Sequence, residues 1–222
     1  MSQERFEPGY IAVEGVIGVG KTTFAQMLAE RLGARLVNEE VFENPFLVDF
    51  YKDRKRYALS CQLYFLIARF QQQQQLMVRD LFAQKIIADY LYAKDAIFAS
   101  VNLSERELAL YNKIAPTLSR DVPSPDLVIY LQASTSVLLE RIRRRNLPFE
   151  KPIDFDYVGM LNTAYDYYFF HYTDTPLLVV KTDEIDFVHH PAHFDDLIQQ
   201  ISKPVVGKKY YSPSAGTLHP ES

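Results

Sequence analysis

The sequence predicts a three-layer α/β fold in which a five-stranded parallel sheet is flanked by helices. Two observations carry this prediction. Short apolar segments alternate along the chain with longer segments of helical periodicity, which is the pattern of repeated βαβ units. A complete glycine-rich octet also stands between the first apolar segment and the first helical one. With 222 residues, the chain is long enough for one well-buried domain of this kind.

Five segments are predicted as strands, because each is a short apolar run between longer helical segments. They are Tyr10–Glu14, Ala34–Val37, Ile86–Asp89, Leu127–Leu131 and Leu177–Lys181. Six other segments have the apolar spacing of helices, and one of them starts with the capping-box pair Ser104 and Glu107. The predicted helices are Lys21–Leu32, Tyr57–Ala83, Ser104–Leu118, Thr135–Arg145, Asp156–Tyr172 and Ala192–Ile201.

The last part of the chain differs from the rest in composition. Residues 203–222 are rich in Pro, Gly, Ser and Lys and show no periodicity, which is typical of a loosely held end. We therefore predict one domain over residues 1–202, followed by a flexible C-terminal tail over residues 203–222. Within this tail, Tyr210 and Tyr211 are the candidates for docking on the domain.

Composition and charge exclude several classes of protein. Hydrophobic residues make up 48% of the chain and charged residues 23%, as in ordinary globular proteins. The formal net charge of −4 gives no general attraction for a nucleic acid polymer. The single cysteine, Cys61, excludes an internal disulfide. No apolar segment approaches the length of a membrane span, and residues 1–8 are too polar for a signal peptide, so we expect no membrane partner and a cytoplasmic protein.

A phosphate-binding loop is the most specific single motif. Residues 15–22 read Gly-Val-Ile-Gly-Val-Gly-Lys-Thr, a complete match to G-x-x-x-x-G-K-[ST]. Glycines let backbone N–H groups surround phosphate oxygens, Lys21 reaches the terminal phosphates, and the Thr22 hydroxyl is suited to ligating Mg²⁺. The motif therefore predicts a nucleoside triphosphate ligand and a fold of the P-loop NTPase type. The expected nucleotide-binding residues are Gly15, Val16, Ile17, Gly18, Val19, Gly20, Lys21, Thr22 and Thr23.

Carboxylates follow two of the predicted strands. Glu39 and Glu40 come after the second strand, and Asp89 closes the third. Ligands of an open parallel sheet gather at the carboxyl ends of its strands, so these side chains are expected near the phosphate loop. A phosphoryl transferase needs one carboxylate to accept the proton of an attacking hydroxyl and another to hold Mg²⁺. Ordinary polar strand ends are the alternative interpretation of each.

Arginines are concentrated at the end of one predicted helix, at positions 141, 143, 144 and 145. Arg141 and Arg145 are four residues apart and therefore share a face of the helix. Such a cluster is suited to closing over a transferring phosphate, because guanidinium groups neutralise the charge on phosphoryl oxygens. The alternative is a solvated helix end, where cations interact favourably with the helix dipole.

Gln62 and Arg69 place polar groups on a helix that is otherwise largely apolar. They are seven residues apart, which puts both on one stripe, two turns apart. Polar groups on such a face require partners. A glutamine amide both donates and accepts, which suits the edge of a nucleobase, and the alternative is an internal hydrogen bond.

In their order and spacing, these motifs closely resemble those of the deoxynucleoside kinase family, particularly its bacterial deoxyadenosine and deoxyguanosine kinase-like members. The resemblance runs from about Tyr10 to Ile201. The phosphate loop is shared with many nucleotide-binding families, whereas the combination of segments is much more specific. Besides residues 15–23, the similar segments are Glu39–Leu47, Phe50–Asp53, Arg56–Ala58, Gln62–Arg69, Asp89–Ala99 and Glu140–Arg145.

The resemblance implies that residues 1–202 are an ATP-dependent kinase domain, which transfers the γ-phosphate to the 5′-hydroxyl of a deoxynucleoside. Glu39 is implied as the base that activates this hydroxyl, and Tyr51 and Glu150 as the residues that hold the 3′-hydroxyl. The residues implied to bind the base are Gln62, Arg69 and Asp95, with Phe98 stacking on it.

The resemblance also implies roles on the side of the phosphate donor. Asp89 would support Mg²⁺, with Thr22 as the other protein ligand, or share the proton-accepting work. Arg141 and Arg145 would belong to a catalytic lid over the donor phosphates, and residues 182–187 would pack near the donor adenine. A homodimer is a further implication of the family.

The acceptor base is expected to be adenine. The Gln62 amide can pair with the N6 amino group and a ring nitrogen of adenine, and a cytosine edge offers a comparable pattern. Arg69 and Asp95 would mismatch the methylated carbonyl edge of thymine. We therefore expect deoxyadenosine to be preferred, deoxycytidine or deoxyguanosine to be weaker acceptors, and thymidine to be excluded.

Two positions depart from the family pattern. Members of the family commonly have an arginine directly after the carboxylate of the third strand, whereas this chain has Tyr90 after Asp89. The arginine that bridges the catalytic carboxylate and the phosphate is therefore missing, and a lid arginine is the expected substitute. The lid also continues as Arg145-Asn146-Leu147 in place of Arg-Gly-Arg, with one cation fewer.

Three other functions stay open at this point. A nucleoside monophosphate kinase of the same fold would need extra cations for the phosphate of its acceptor. A nucleotide-binding protein that has lost catalysis is favoured slightly by Tyr90. A regulatory GTPase needs the guanine-binding sequence Asn-Lys-x-Asp. Residues 112–115 read Asn-Lys-Ile-Ala and so lack its aspartate.

Overall fold

The computed structural model describes residues 8–77, 85–120 and 122–213. Within these ranges the chain forms the predicted parallel α/β arrangement, with a sheet of six strands rather than five. All of the strand pairings are parallel. The strands are β1 (Tyr10–Gly15), β2 (Arg35–Val37), β3 (Ile86–Ala88), β4 (Leu127–Gln132), β5 (Leu177–Lys181) and β6 (Lys208–Tyr211).

Eight α-helices in the described ranges connect and flank these strands. None of them is long and apolar enough to cross a membrane. The helices are α1 (Lys21–Leu32), α2 (Leu47–Lys52), α3 (Arg54–Met77), α4 (Lys94–Asn102), α5 (Glu105–Ser119), α6 (Thr135–Arg145), α7 (Phe155–His171) and α8 (Pro191–Ile201).

Six of these helices confirm predicted ones, and two were missed. Helix α3 begins three residues before its predicted start, and the predicted residues 78–83 lie outside the described part of the chain. Helix α2 has only six residues, too few to show helical periodicity. Helix α4 buries charged as well as apolar side chains, so its sequence lacks the usual polar face. Both missed helices border the site described below.

The strand order places a crevice beside β1. The sheet runs β2-β3-β1-β4-β5-β6, so β1 lies between β3 and β4. After β1, the chain adds β2 and β3 on one side of β1 and then β4, β5 and β6 on the other side. The carboxyl end of β1 is therefore a topological switch point, and ligands of such sheets bind at these points. The phosphate loop follows β1 at this point. Glu39 and Asp89 come shortly after β2 and β3 on the same edge.

The sixth strand corrects the predicted flexible tail. Strand β6 pairs with Leu177–Val180 of β5, and Val205 just before it is buried. The prediction of a loose segment was therefore wrong for residues 203–213, and residues 214–222 lie outside the described part of the chain. The two lysines of β6 suggested a solvated segment, but lysine is also typical of a strand at the edge of a sheet. Tyr211 docks as expected, through a hydrogen bond to Asp196.

Two adjacent valines test whether residues 203–213 pack against the core of the domain. Val205 is 3% exposed and Val206 is 90% exposed. We expect Val205→Ala to lower the free energy of unfolding by about 1–2 kcal/mol, because it removes two buried methyl groups. The matched control Val206→Ala should change it by less than about 0.5 kcal/mol. Denaturant unfolding measures both variants, and equal stability of the two would contradict the docking of this segment.

Candidate active site

The phosphate loop has a conformation that only glycine adopts readily. Gly18 has a φ of +88°, and a Cβ at this position would lie 2.7 Å from the backbone oxygen of Leu138. Helix α1 begins directly after Gly20, whose φ is +103°. The first N–H groups of a helix have no partners within it, so this helix start is suited to binding phosphate oxygens. The Nζ of Lys21 lies over the loop and donates to the backbone oxygen of Gly15 at 2.6 Å.

A path of hydrogen bonds joins the phosphate loop to the loop after β2. The Thr22 hydroxyl donates to Oδ2 of Asp89 at 2.7 Å. The backbone N–H of Glu39 donates to Oδ1 of the same carboxylate at 2.6 Å. Burial raises the pKa of Asp89, although the hydrogen bond from Thr22 acts in the opposite direction. The structure thus brings together the two predicted carboxylates and the predicted metal-ligating hydroxyl.

The carboxylate of Glu39 lies between two cations. Its Oε1 accepts hydrogen bonds from Nε and Nη2 of Arg69 at 2.8 Å and 2.6 Å, and its Oε2 accepts one from the ammonium of Lys94. The side chains of Glu39 and Lys94 are each only 7% exposed. Burial alone would raise the pKa of Glu39, but the charges of Lys94 and Arg69 outweigh this effect and lower it to about 2. Glu39 is therefore ionised at neutral pH.

A cavity of 440 Å³ opens beside Glu39. This volume lies within the range of about 300–1,000 Å³ that is typical of small-molecule sites. The phosphate loop, the loop after β2 and Asp89 form part of its wall, and helices α2, α3 and α4, Arg145 and the segment after α6 form the rest. The predicted site residues in this wall are Ile17, Gly18, Gly20, Lys21, Thr22, Thr23, Glu39, Tyr51, Gln62, Arg69, Asp89, Phe98, Arg145 and Glu150.

Asp95 lies behind this wall rather than in it. Its Oδ1 contacts Nη1 of Arg69, and its Oδ2 accepts a hydrogen bond from the Tyr111 hydroxyl at 2.6 Å. The backbone oxygen of Asp95 accepts a hydrogen bond from Nε2 of Gln62 at 2.9 Å. Burial raises the pKa of Asp95, with the charge of Arg69 opposing it. Asp95 therefore holds Gln62 and Arg69, the two polar residues of α3, in place.

Tyr51 and Glu150 contribute polar groups to another part of the wall. The ring of Tyr51 stacks on Phe149 with 6.1 Å between centroids. Burial raises the pKa of Tyr51 well above its usual value, so its hydroxyl keeps its proton and can donate. Nε of Arg145 donates to Oε2 of Glu150 at 3.1 Å, and its Nη2 contacts the other carboxylate oxygen. The predicted lid arginine is thus paired with a predicted sugar-binding carboxylate.

A second cavity, of 560 Å³, also borders the phosphate loop. Arg141 and residues 183–188 line it, and Arg145 borders both cavities. The guanidinium of Arg141 is held by backbone oxygens, because Nη1 donates to Val19 at 3.1 Å and Nη2 to Thr182 at 2.7 Å. The two predicted lid arginines therefore have different environments, and Arg141 links α6 to the phosphate loop.

The position of the missing arginine is filled by a buried tyrosine. Tyr90 is fully buried, its hydroxyl accepts a hydrogen bond from Nε2 of Gln73 at 3.0 Å, and it lines neither cavity. Sequence reasoning missed Lys94, which places a cation at Glu39 from α4. The available signal was the pair of adjacent charges at Lys94 and Asp95 within an apolar segment, because buried charges require partners.

The sequence matches the family described as deoxynucleoside kinase over residues 11–206. Deoxyguanosine kinase of Bacillus subtilis is 36% identical over 204 residues, which cover 89% of this chain and 98% of that protein. Deoxyadenosine kinase of Dictyostelium discoideum is 38% identical over 170 residues, which cover 74% of this chain and 68% of that protein.

Solved structures agree with the sequence matches. The structure of deoxyadenosine kinase from M. mycoides with bound dCTP superposes with a TM-score of 0.76 at 29% identity, covering 86% of this chain and 98% of that one. The residues that match the family, 11–206, include the phosphate loop, Glu39 and Asp89. The chain belongs to the deoxynucleoside kinase family.

Proposed function

We propose that this deoxynucleoside kinase uses ATP and Mg²⁺ to phosphorylate the 5′-hydroxyl of a deoxynucleoside, with deoxyadenosine as the preferred acceptor. The observation that carries the proposal is the hydrogen-bonded path from Thr22 through Asp89 to Glu39, which joins the phosphate loop to a cavity of nucleoside size. A terminal phosphate on the loop and a hydroxyl in the cavity meet beside Glu39. Such positioning is the main requirement of phosphoryl transfer.

Glu39 is the proposed base. The 5′-oxygen attacks the γ-phosphorus, the bond from this phosphorus to the oxygen bridging to the β-phosphate breaks, and the hydroxyl proton passes to Glu39. Its pKa of about 2 keeps Glu39 ionised at neutral pH, so that it is always ready to accept a hydrogen bond from the hydroxyl. In a loose transition state, orientation of the attacking oxygen matters more than strong basicity.

Thr22 and Asp89 fit a Mg²⁺ site. Mg²⁺ prefers oxygen ligands and is usually held by one or two carboxylates together with substrate phosphates. The Thr22 hydroxyl and an Asp89 oxygen lie 2.7 Å apart at the start of α1, where the donor phosphates are expected. Thr22 and Asp89 would hold Mg²⁺, which would supply positive charge to the donor phosphates.

The second cavity is the proposed site for the nucleoside part of the donor. It adjoins the phosphate loop, and residues 183–187 lie in its wall, as the family resemblance implies for the donor adenine. We propose that Arg141 and Arg145 act as lid residues toward the donor phosphates. Arg145 borders both cavities, which suits a side chain that changes partners on closure.

The contacts of Asp95 support adenine as the acceptor base. Guanine carries a 2-amino group that requires an acceptor, and a carboxylate is the natural partner. Both oxygens of Asp95 are already bound by Arg69 and Tyr111, and Asp95 lies outside the cavity wall. Gln62 lines the cavity with an amide that can donate to and accept from adenine. Unpaired buried polar groups are costly, so this difference favours deoxyadenosine over deoxyguanosine.

A nucleoside monophosphate is a poorer acceptor for this cavity. Among the arginines of its wall, Arg69 is paired with Glu39 and Asp95, and Arg145 is paired with Glu150. An acceptor phosphate would have to compete with these carboxylates for either guanidinium. The site therefore favours an uncharged nucleoside.

A homodimer is proposed from the exposed apolar face of α4 and α7. Met160 is 53% exposed and Tyr167 is 70% exposed, beside Ile97 and Val101 in a shallow apolar groove. Exposed patches of this kind often mark interfaces, and pairing of one face with its own copy is the commonest symmetry. Light scattering should give twice the mass of one chain, and a monomer would refute the proposal. We also propose that the enzyme acts in the cytoplasm, where its donor is available.

Neighbouring carboxylates test the assignment of the base. Glu39→Gln keeps the shape and removes the basicity, so the chemical step should slow by about 10²–10⁴-fold. Asp89→Asn should mainly raise the Mg²⁺ concentration needed for half-maximal rate. Glu40 is exposed and supplies the control, since Glu40→Gln should leave turnover unchanged. Single-turnover rates at saturating Mg²⁺ measure the effect. A small loss of rate in Glu39→Gln together with a complete loss in Asp89→Asn would reverse the two roles.

The acceptor is tested with the four deoxynucleosides and their monophosphates. We expect kcat/KM to be highest for deoxyadenosine, lower for deoxycytidine and deoxyguanosine, and negligible for thymidine. Arg69 is held by Glu39 and Asp95 and so cannot give way to the 5-methyl group of thymine. Steady-state assays with radiolabelled ATP measure all eight compounds. A higher kcat/KM for deoxyguanosine or thymidine than for deoxyadenosine would overturn the preferred base, and efficient use of a monophosphate would overturn the acceptor class.

A further inference from the structure

Transition-state charge at this site needs a cation that position 90 does not supply. Tyr90 is fully buried and bonded to Gln73, away from the cavity. Charge on the transferring phosphoryl oxygens is normally neutralised by a preorganised cation beside the attacking and leaving oxygens. Lys21 provides one such charge at the phosphate loop. The acceptor side of the cavity, around Glu39, needs another.

The arginines of the site are already committed to other partners. Arg69 places Nε and Nη2 on Glu39 and Nη1 on Asp95, so each nitrogen of its planar fork is engaged between two fixed carboxylates. Arg141 is bound to backbone oxygens beside the second cavity. Arg145 forms a two-point contact with Glu150. Arg141 and Arg145 therefore do not contact Glu39, and Arg69, which does, is held by two carboxylates.

Lys94 has spare donors directly beside Glu39. Its ammonium has three N–H groups, and among the described residues it makes one hydrogen bond, to Oε2 of Glu39. It lines the cavity together with Lys21, Asp89 and Glu39. The two ammonium groups therefore face one region, at the junction of the two substrates.

We propose that Lys94, in the first turn of α4, is the cation that bridges Glu39 and the transferring phosphoryl group and so replaces the missing arginine. This inference rests on the proposed function. In the reaction Lys94 acts as a cation and transfers no proton. It holds Oε2 of Glu39 toward the 5′-hydroxyl, and its remaining N–H groups bind an oxygen of the γ-phosphoryl group as the bond to the β-phosphate oxygen breaks.

The experiment compares two substitutions of Lys94 with a surface control in the full chain. Lys94→Met keeps the length of the side chain and removes its charge. Lys94→Gln removes the charge but keeps a hydrogen-bond donor for Glu39, and it serves alone if Lys94→Met does not fold. Lys113 of α5 is exposed, so Lys113→Met is the matched control. Thermal melting checks folding, equilibrium titration gives the Kd of the nucleoside, and steady-state assays give kcat and KM.

We expect both Lys94 variants to lower kcat by about 10²–10³-fold, the usual effect of removing one preorganised charge donor. The nucleoside Kd and KM should stay within about threefold of wild type, because the lost contact belongs to the transition state. Lys113→Met should keep the kcat of wild type.

Three results would overturn the inference. The first is a kcat of Lys94→Met near that of wild type. The second is a kcat of Lys94→Gln near that of wild type, which would reduce the role of Lys94 to holding Glu39. The third is an effect of the Lys94 substitutions on nucleoside affinity alone. Wild-type turnover of deoxynucleosides is measured first. An inactive wild-type protein refutes the proposed function, whereas an active wild type with active Lys94 variants refutes only the role of Lys94.

Discussion

The placement of Glu39 between Arg69 and Lys94 is the interaction on which the rest of the site depends. The carboxylate of Glu39, in the loop after β2, binds a cation from α3 and a cation from α4, and all three charges are buried. Burying a charge is expensive unless it is paired, and removing one partner of such a pair typically destabilises a protein by about 3–5 kcal/mol. The two helices and the loop are therefore held in one relative arrangement, in which the cavity has its shape.

Asp95 adds a second carboxylate to this cluster of charges. It balances the second cation of the cluster by binding Arg69, and its backbone oxygen fixes Gln62 on the same face of α3. Two carboxylates and two cations thus form a group with no net charge, and three of its members, Glu39, Arg69 and Lys94, line the cavity. The group therefore adds no net charge to the cavity, which suits an uncharged acceptor.

The parts of the fold that were predicted correctly are those with a local signal. The phosphate loop and the carboxylates after β2 and β3 follow from motif and strand order, because each is defined by its immediate neighbours in sequence. Lys94 and strand β6 were missed because their structure depends on distant partners. Lys94 is buried only because Glu39 lies opposite, and β6 is a strand only because β5 offers it an edge. The direction of Arg141 toward backbone oxygens is likewise a tertiary property.

The hydrogen bond between Tyr90 and Gln73 has a consequence for how sequences of this kind can diverge. Since Tyr90 is wholly enclosed, an arginine placed there alone would bring a guanidinium into a space shaped for a phenol, beside an amide. Replacing Lys94 alone would leave Glu39 short of a cation. Passage between a cation at position 90 and one at position 94 therefore requires several coordinated changes. No single substitution converts one arrangement into the other, so the residue at position 94 should be inherited together with the residues at positions 73 and 90.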